Sequence, residues 1–198
     1  MTPFFTVITP SLMRESLVAC CESVDSQTFD GGIQHIVQCD SPDLNVELIN
    51  RIEHPNREVY CCGVHHNNYG NSCRHIAWEM ATGKYLVMLD DDNTLASHQT
   101  LKQIAKALKN EPDFAVFPIL RHGHIFFNDP PGLCMSDTGN IVVKREIGRW
   151  PDGPEYTMDG IWIDALKAKY QYQAFPNDLP IIIMEKSSFG EGGEINEQ

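Results

Sequence analysis

A five-residue apolar run, Tyr85 to Leu89, ends abruptly in three consecutive aspartates, Asp90, Asp91 and Asp92. The run is short, follows the turn pair Thr82-Gly83, and reads as a buried strand. A buried strand cannot absorb three carboxylates, because like charges repel at this spacing and burial raises the cost of each. The strand must therefore deliver them to an edge where water or a cation meets them. Oxygen-only donors suit hard divalent cations, and magnesium in particular is held by one or two carboxylates with substrate phosphates completing its shell. In open α/β sheets the carboxyl ends of the strands are where ligands bind. A merely solvated acidic turn is the competing reading, to be weighed against the rest of the chain.

Around this junction, strand-like runs alternate with helical patterns, the signature of βαβ units about a mostly parallel, Rossmann-like sheet. Phe4 to Thr9 is the first expected strand. The helix after it sets Leu17, Cys20, Cys21 and Val24 at i, i+3, i+4 and i+7, one apolar stripe for the sheet. Ile33 to Cys39 is the second strand and ends at Asp40; a short helix around 44–52 leads to a third at Glu58 to Cys62. Cys73, Ile76, Ala77 and Met80 repeat the helical spacing, with Thr82-Gly83 as the stop. Beyond the aspartates, Leu101, Ile104, Ala105 and Leu108 mark another amphipathic helix.

From about residue 113 the pattern changes. Phe114 to Leu120 reads as a strand, and 121–139, rich in Gly, Pro, His and Asn, as a functional loop or hairpin. Ile141 to Lys144 follows as a short strand, then a helix from Met158 to Tyr170 that buries Trp162, Ile163, Leu166 and Tyr170, then a last strand at Ile181 to Met184. Residues 187–198 read as a mobile tail.

Composition narrows the function classes. A chain of 198 residues with 42% hydrophobic and 21% charged residues fits one globular domain. A net charge of −12 argues against nucleic acid and anionic membrane surfaces as partners and favours metal cations. The N-terminus lacks a basic region and a long apolar core, so no signal peptide is expected. No run approaches the roughly 20 apolar residues of a membrane span. The seven cysteines, Cys20, Cys21, Cys39, Cys61, Cys62, Cys73 and Cys134, show no paired metal spacing. They read as small buried hydrophobes in a reducing compartment, so a soluble, cytoplasmic protein is expected.

Two further carboxylates stand where chemistry needs them. Asp40 ends the second strand as Asp90 ends the fourth, so parallel strands bring both to one edge. Asp159 opens the last helix, where the dipole favours an ionised carboxylate, as an N-cap or as a reactive group. Asp164, farther along that helix, reads as solvated.

The segments Thr6 to Ser11, Glu15 to Leu17, Cys21 to Phe29, Gly70 to Ala77, Ala81 to Asp92, Thr138 to Glu146 and Met158 to Leu166 together resemble, in type and order, family 2 glycosyltransferases of the GT-A fold. The resemblance spans about residues 4 to 170. It implies a single domain with a nucleotide-sugar-binding half, 1–112, and a smaller acceptor-side half, 113–186. In such enzymes a nucleoside diphosphate sugar, here a UDP-sugar, lies over the first half. Thr9 and Pro10 would border the base, Glu15 would approach the nucleotide, and Asp40 would accept the base N–H. Arg74 matches a basic residue near the nucleotide, Asp90 would accept from the ribose with Asp91 beside it, and Asp92 would ligate Mn2+ or Mg2+ on the diphosphate. Asp159 matches the catalytic base of an inverting displacement on a sugar, lipid or other hydroxyl acceptor.

This chain departs from the family pattern at Asp40 to Asp43 and at Met158, which precedes Asp159 where the family has a glutamate. Acceptor recognition falls to 121–139, with His122 and His124, to the tail, or to a partner chain, with a homo-oligomer compatible. Trp150 and Trp162 are candidates for stacking on a sugar, Trp162 being better placed for the core. The rival readings are a noncatalytic nucleotide-sugar-binding or scaffolding module of the same fold, and a nucleotidyltransferase. The latter should show a Gly-rich basic phosphate loop near the first strand, which this sequence lacks.

Overall fold

The computed structural model describes residues 2–133, 136–176 and 180–184. Its first half is a run of βαβ units: β1 (Phe5–Ser11), α1 (Ser16–Asp25), β2 (Ile33–Cys39), α2 (Val46–Arg51), β3 (Arg57–Cys61), α3 (Asn71–Met80) and β4 (Tyr85–Met88). There follow β5 (Asn93–Leu95), α4 (Thr100–Ala107), β6 (Phe114–Val116), β7 (Ile119–Arg121), β8 (His124–Phe126), β9 (Ile141–Lys144), α5 (Met158–Lys167), β10 (Tyr172–Ala174) and β11 (Ile182–Met184). The main sheet has the order β10-β6-β9-β4-β1-β2-β3. It is parallel except for β9, which runs antiparallel between β4 and β6. A second sheet, β5-β11-β7-β8, lies beside it.

β1 is the centre of the sheet, paired with β2 and β4 and buried along all seven residues, as a parallel strand covered on both faces must be. The pleat of β4 sorts its side chains into two cores: Tyr85, Val87 and Leu89 pack with Phe5, Leu101 and Ile104, while Leu86 and Met88 pack with Trp78, Trp150 and Trp162. The α1 stripe of Leu17, Cys20, Cys21 and Val24 is buried as its spacing predicts. In α3, Cys73 and Ala77 are buried but so are Asn71, Ser72 and Arg74, three polar residues that a purely structural helix would leave in water. Gly83 is required after α3, because a Cβ there would overlap the backbone of Phe5 and Thr6.

Two expectations are revised, and the hairpin expected from residue 121 onward forms. Phe114 to Leu120 is not one strand: it breaks at Phe117-Pro118, so that β6 joins the main sheet and β7 the second. Proline offers no N–H to a ladder and restricts its predecessor, which is why the chain changes sheets there. The 121–139 segment contributes the β7–β8 hairpin, turning at His122 and Gly123, both at positive φ. The last helix stops at Lys167, leaving Tyr170 only half-buried. The expected tail, 187–198, lies outside the described residues.

Parallel register brings the strand ends together. Leu89 N donates to Ile8 O at 3.0 Å and Asp40 N to Ser11 O at 2.8 Å, so Asp40 and the Asp90–Asp92 turn leave the sheet on one edge.

Candidate active site

The three adjacent aspartates have three different environments. Asp91 is buried, 1% exposed, and accepts from Ser11 Oγ at 2.8 Å, from Leu12 N at 3.0 Å and from the Arg14 guanidinium. It fixes the loop after β1 and faces no solvent. Asp90 is half-buried and ion-paired to Arg74. Asp92 is half-buried, with an oxygen 3.6 Å from Arg14 Nη2. Two guanidinium groups thus offset the mutual repulsion of three carboxylates. Arg14 was not among the sequence candidates; its signal was a cation just past the end of the first strand.

Arg74 lies in the first turn of α3, donates to Tyr69 O at 2.8 Å, and sits 5.2 Å from the Trp150 ring centroid. Pro10 and Arg74 close on Gly70, whose φ of +76° and lack of a side chain are both needed: a Cβ would lie 2.8 Å from Pro10 Cβ and 3.1 Å from Arg74 Nη1. Asp40 is 4% exposed and accepts from His66 N at 2.6 Å and Asn67 N at 3.1 Å, so it organises the loop ahead of α3 while keeping lone pairs for another donor.

Asp159 sits in the first turn of α5, behind the N-cap Thr157, and accepts from Gly160 N at 2.7 Å. Burial raises its proton affinity; the Gly160 amide and Arg74 oppose this, and the Asp90 charge adds to it. Asp137, which the sequence reading did not single out, precedes β9 and accepts from Gly139 N at 2.9 Å. Burial, and then the charge of Asp90, push its pKa up to about 6, with Asp159 adding to the rise. Asp90, Asp137 and Asp159 therefore feel one another across the same edge. The only mark of Asp137 in the sequence is a polar Asp-Thr-Gly turn, which is common in loops.

A polar seam joins the start of α3 to the segment leading into α5. Asn71 Nδ2 donates to Gly153 O and Glu155 O at 3.1 and 3.0 Å, Asn68 Nδ2 donates to Gly153 O at 3.3 Å, and Ser72 Oγ donates to Asp152 Oδ1 at 2.6 Å. Arg74 and Asp159 are thereby held on two sides of one structure.

Other candidates lie elsewhere. The Thr9 hydroxyl is buried against His35 Nε2 at 3.0 Å, so its side chain belongs to the core. Glu15 is exposed and paired with Arg51 at 2.7 Å. Trp150 and Trp162 are both buried, so neither offers a face to a sugar. His122 and His124 are exposed on the β7–β8 hairpin, and Asp164 is exposed as expected. A cavity of about 180 Å³ bordered by Val24, Phe29, His35 and His54 lies by the amino end of β2, away from these carboxylates.

The model of the glycosyl transferase family 2 matches residues 6–162. The chain belongs to that family. Among solved structures, S. aureus TarS 1-349 in complex with UDP-GlcNAc is similar at TM-score 0.76 and 15% identity, over 92% of this chain and 58% of that one. A further S. aureus TarS structure is similar at TM-score 0.73 and 13% identity, over 92% of this chain and 37% of that one. A mannosyltransferase of Pyrobaculum calidifontis, PcManGT, in complex with GDP-Man and Mn2+, is similar at TM-score 0.68 and 15% identity, over 96% and 59%. The fold is therefore GT-A, and this family 2 chain spans 37–59% of the length of these proteins. A search of curated proteins gave no match. Among the described residues, no helix is long and apolar enough to cross a membrane.

Proposed function

We propose that this family 2 glycosyltransferase moves a sugar from a nucleoside diphosphate sugar, of the UDP class, to an acceptor hydroxyl with inversion. The observation that carries the reading is Asp159, a half-buried carboxylate of raised proton affinity that shares an electrostatic field with the Asp90–Arg74 pair at the ligand-binding edge. The neighbours crystallised with UDP-GlcNAc and with GDP-Man and Mn2+ support a nucleotide-sugar donor.

In this reading residues 1–112 seat the donor and 113–186 present the acceptor. Pro10 borders the base, Asp40 accepts its N–H, and Asp90, held by Arg74, accepts from the ribose. The oxygen donors at the aspartate turn fit a hard divalent cation: the half-buried Asp92 keeps its side chain 21% exposed, and a magnesium-type ion needs only one or two carboxylates beside its phosphates. Held by Asp92, Mn2+ or Mg2+ supplies charge neutralisation to the departing diphosphate. Asp159 takes the proton of the acceptor hydroxyl as its oxygen bonds to the anomeric carbon and the bond from that carbon to the diphosphate breaks. Attack from the face opposite the leaving group inverts the centre.

Calorimetric titration with UDP and the other nucleoside diphosphates, with and without Mn2+, tests the donor seat. UDP should bind tightest, only with metal, and that dependence should vanish in Asp92→Ala. Failure of every nucleoside diphosphate to bind would overturn the reading in favour of a noncatalytic module.

A further inference from the structure

We infer that Asp40, Cys62 and His66 form a second cation site, for a zinc-class metal, whose occupancy displaces the nucleotide base from Asp40; the displacement rests on the donor seat proposed above, the site itself does not.

The three residues converge from separate elements: Asp40 follows β2, Cys62 follows β3, and His66 lies in the loop before α3. One ligand atom from each lies within 4.8 Å of the others. Bonds of about 2.0–2.3 Å to zinc place tetrahedral ligands roughly 3.3–3.8 Å apart, so closure needs a movement of about 1 Å. The exposed His66 side chain has that freedom. Asp40 is already anchored by the amides of His66 and Asn67, which fixes one donor before a metal arrives.

Two further observations point to a soft or borderline ion. The Cys73 Sγ lies 3.6 Å from Cys62 Sγ, placing a second sulfur at the cluster. Gln38, 1% exposed, directs its Nε2 at Cys62 Sγ from 3.3 Å, while its Oε1 has no partner. A buried amide donating to sulfur is the kind of outer contact that orients a thiolate ligand. Mixed sulfur, nitrogen and oxygen donors suit zinc, whereas the oxygen-only turn at Asp90 to Asp92 suits magnesium or manganese, so the edge sorts two classes of cation. As the sulfur–metal bond forms, the Cys62 thiol releases its proton to solvent and imidazole binds neutral. The sequence concealed the site because Asp40 lies far from Cys62, and Cys62 and His66 alone are an incomplete set.

Cobalt(II) is the probe. Titrated into the reduced protein, it should give a sulfur-to-metal charge-transfer band and tetrahedral d–d bands that zinc displaces stoichiometrically. Cys62→Ser should abolish the charge-transfer band, and His66→Ala, at an exposed position that leaves the fold intact, should weaken cobalt binding about tenfold or more. Absence of the band in the native protein, or its survival in Cys62→Ser, overturns the site. With Mn2+ present, zinc should weaken UDP binding about tenfold or more in the native protein and leave Cys62→Ser unaffected. An unchanged UDP affinity in zinc-loaded protein overturns the displacement. If UDP does not bind at all, the donor reading has failed, and the cobalt spectrum still decides the site.

Discussion

The side of the edge built by β1 to β4 and the side built by β9 and α5 both present carboxylates, but they hold them differently. On the first side each aspartate is neutralised or clamped: Asp91 has a hydroxyl, an amide and Arg14, Asp90 has Arg74, and Asp40 has two amides. On the second side, Asp137 and Asp159 accept from backbone amides alone, with no cation among the described residues clamped on either, and burial raises the proton affinity of both. Carboxylates clamped in place suit the recognition of fixed hydroxyl and N–H donors. Acids whose proton affinity is lifted toward neutrality suit proton transfer.

The largest expected effect is on the second side. Asp159→Asn should lower single-turnover transfer by about 10²–10⁴-fold while UDP affinity stays near native. The acid limb of native kcat/KM should lie above the ordinary aspartate range, with activity lost as pH falls through it. Unchanged turnover would move the proton transfer elsewhere and break the comparison. Next, Asp91→Ala should cost about 2–3 kcal/mol in denaturant unfolding, because the Ser11 hydroxyl and the Leu12 amide lose their acceptor, whereas Asp92→Ala should cost about 0.5 kcal/mol or less. Equal costs would mean that the two are not differently held.

Asp137→Asn gives a smaller effect with a definite sign. Because its native pKa of about 6 exceeds the unfolded value, the native state holds the extra proton, and stability falls as pH rises from the ordinary aspartate range through 6. The asparagine can still accept from Gly139 N and carries no charge, so at neutral pH the variant should be more stable than native by about 1–2 kcal/mol, with that slope gone. A variant less stable at neutral pH would show that the carboxylate is compensated like those across the edge. Smallest of all, Glu15→Ala should change stability by less than about 1 kcal/mol and leave UDP affinity as it was. A tenfold loss of affinity would restore Glu15 to the nucleotide seat that the sequence suggested.

The βαβ frame was legible because its signals are local and periodic. The α1 stripe and the bounds of β2 came from spacing alone, and the aspartate turn followed from the cost of burying charge. Short elements escaped: β5 and β10 have three residues each, too few for a period to register. Pro118 was a visible warning of the break between β6 and β7, masked by the apolar residues on either side. Within the site, three identical side chains in a row carry no label. Asp91 is the inward one because Ser11 and Arg14 meet it, residues 80 and 77 positions earlier. Asp137 owes its perturbed state to neighbours that only the folded edge supplies.

The seam from Asn68 and Asn71 to the lead-in of α5 grips main-chain oxygens, those of residues 153 and 155. Every residue type provides a carbonyl, so such a grip reads the path of the chain and not its spelling. Exchanging the exposed Glu155 for another residue leaves the grip in place, whereas inserting one residue between Trp150 and Tyr156 would slide the carbonyls out of reach and carry Asp159 with them. A joint of this kind therefore constrains the length of the segment more tightly than the identity of its exposed residues, although Asp152, which accepts from Ser72, is held by its side chain as well.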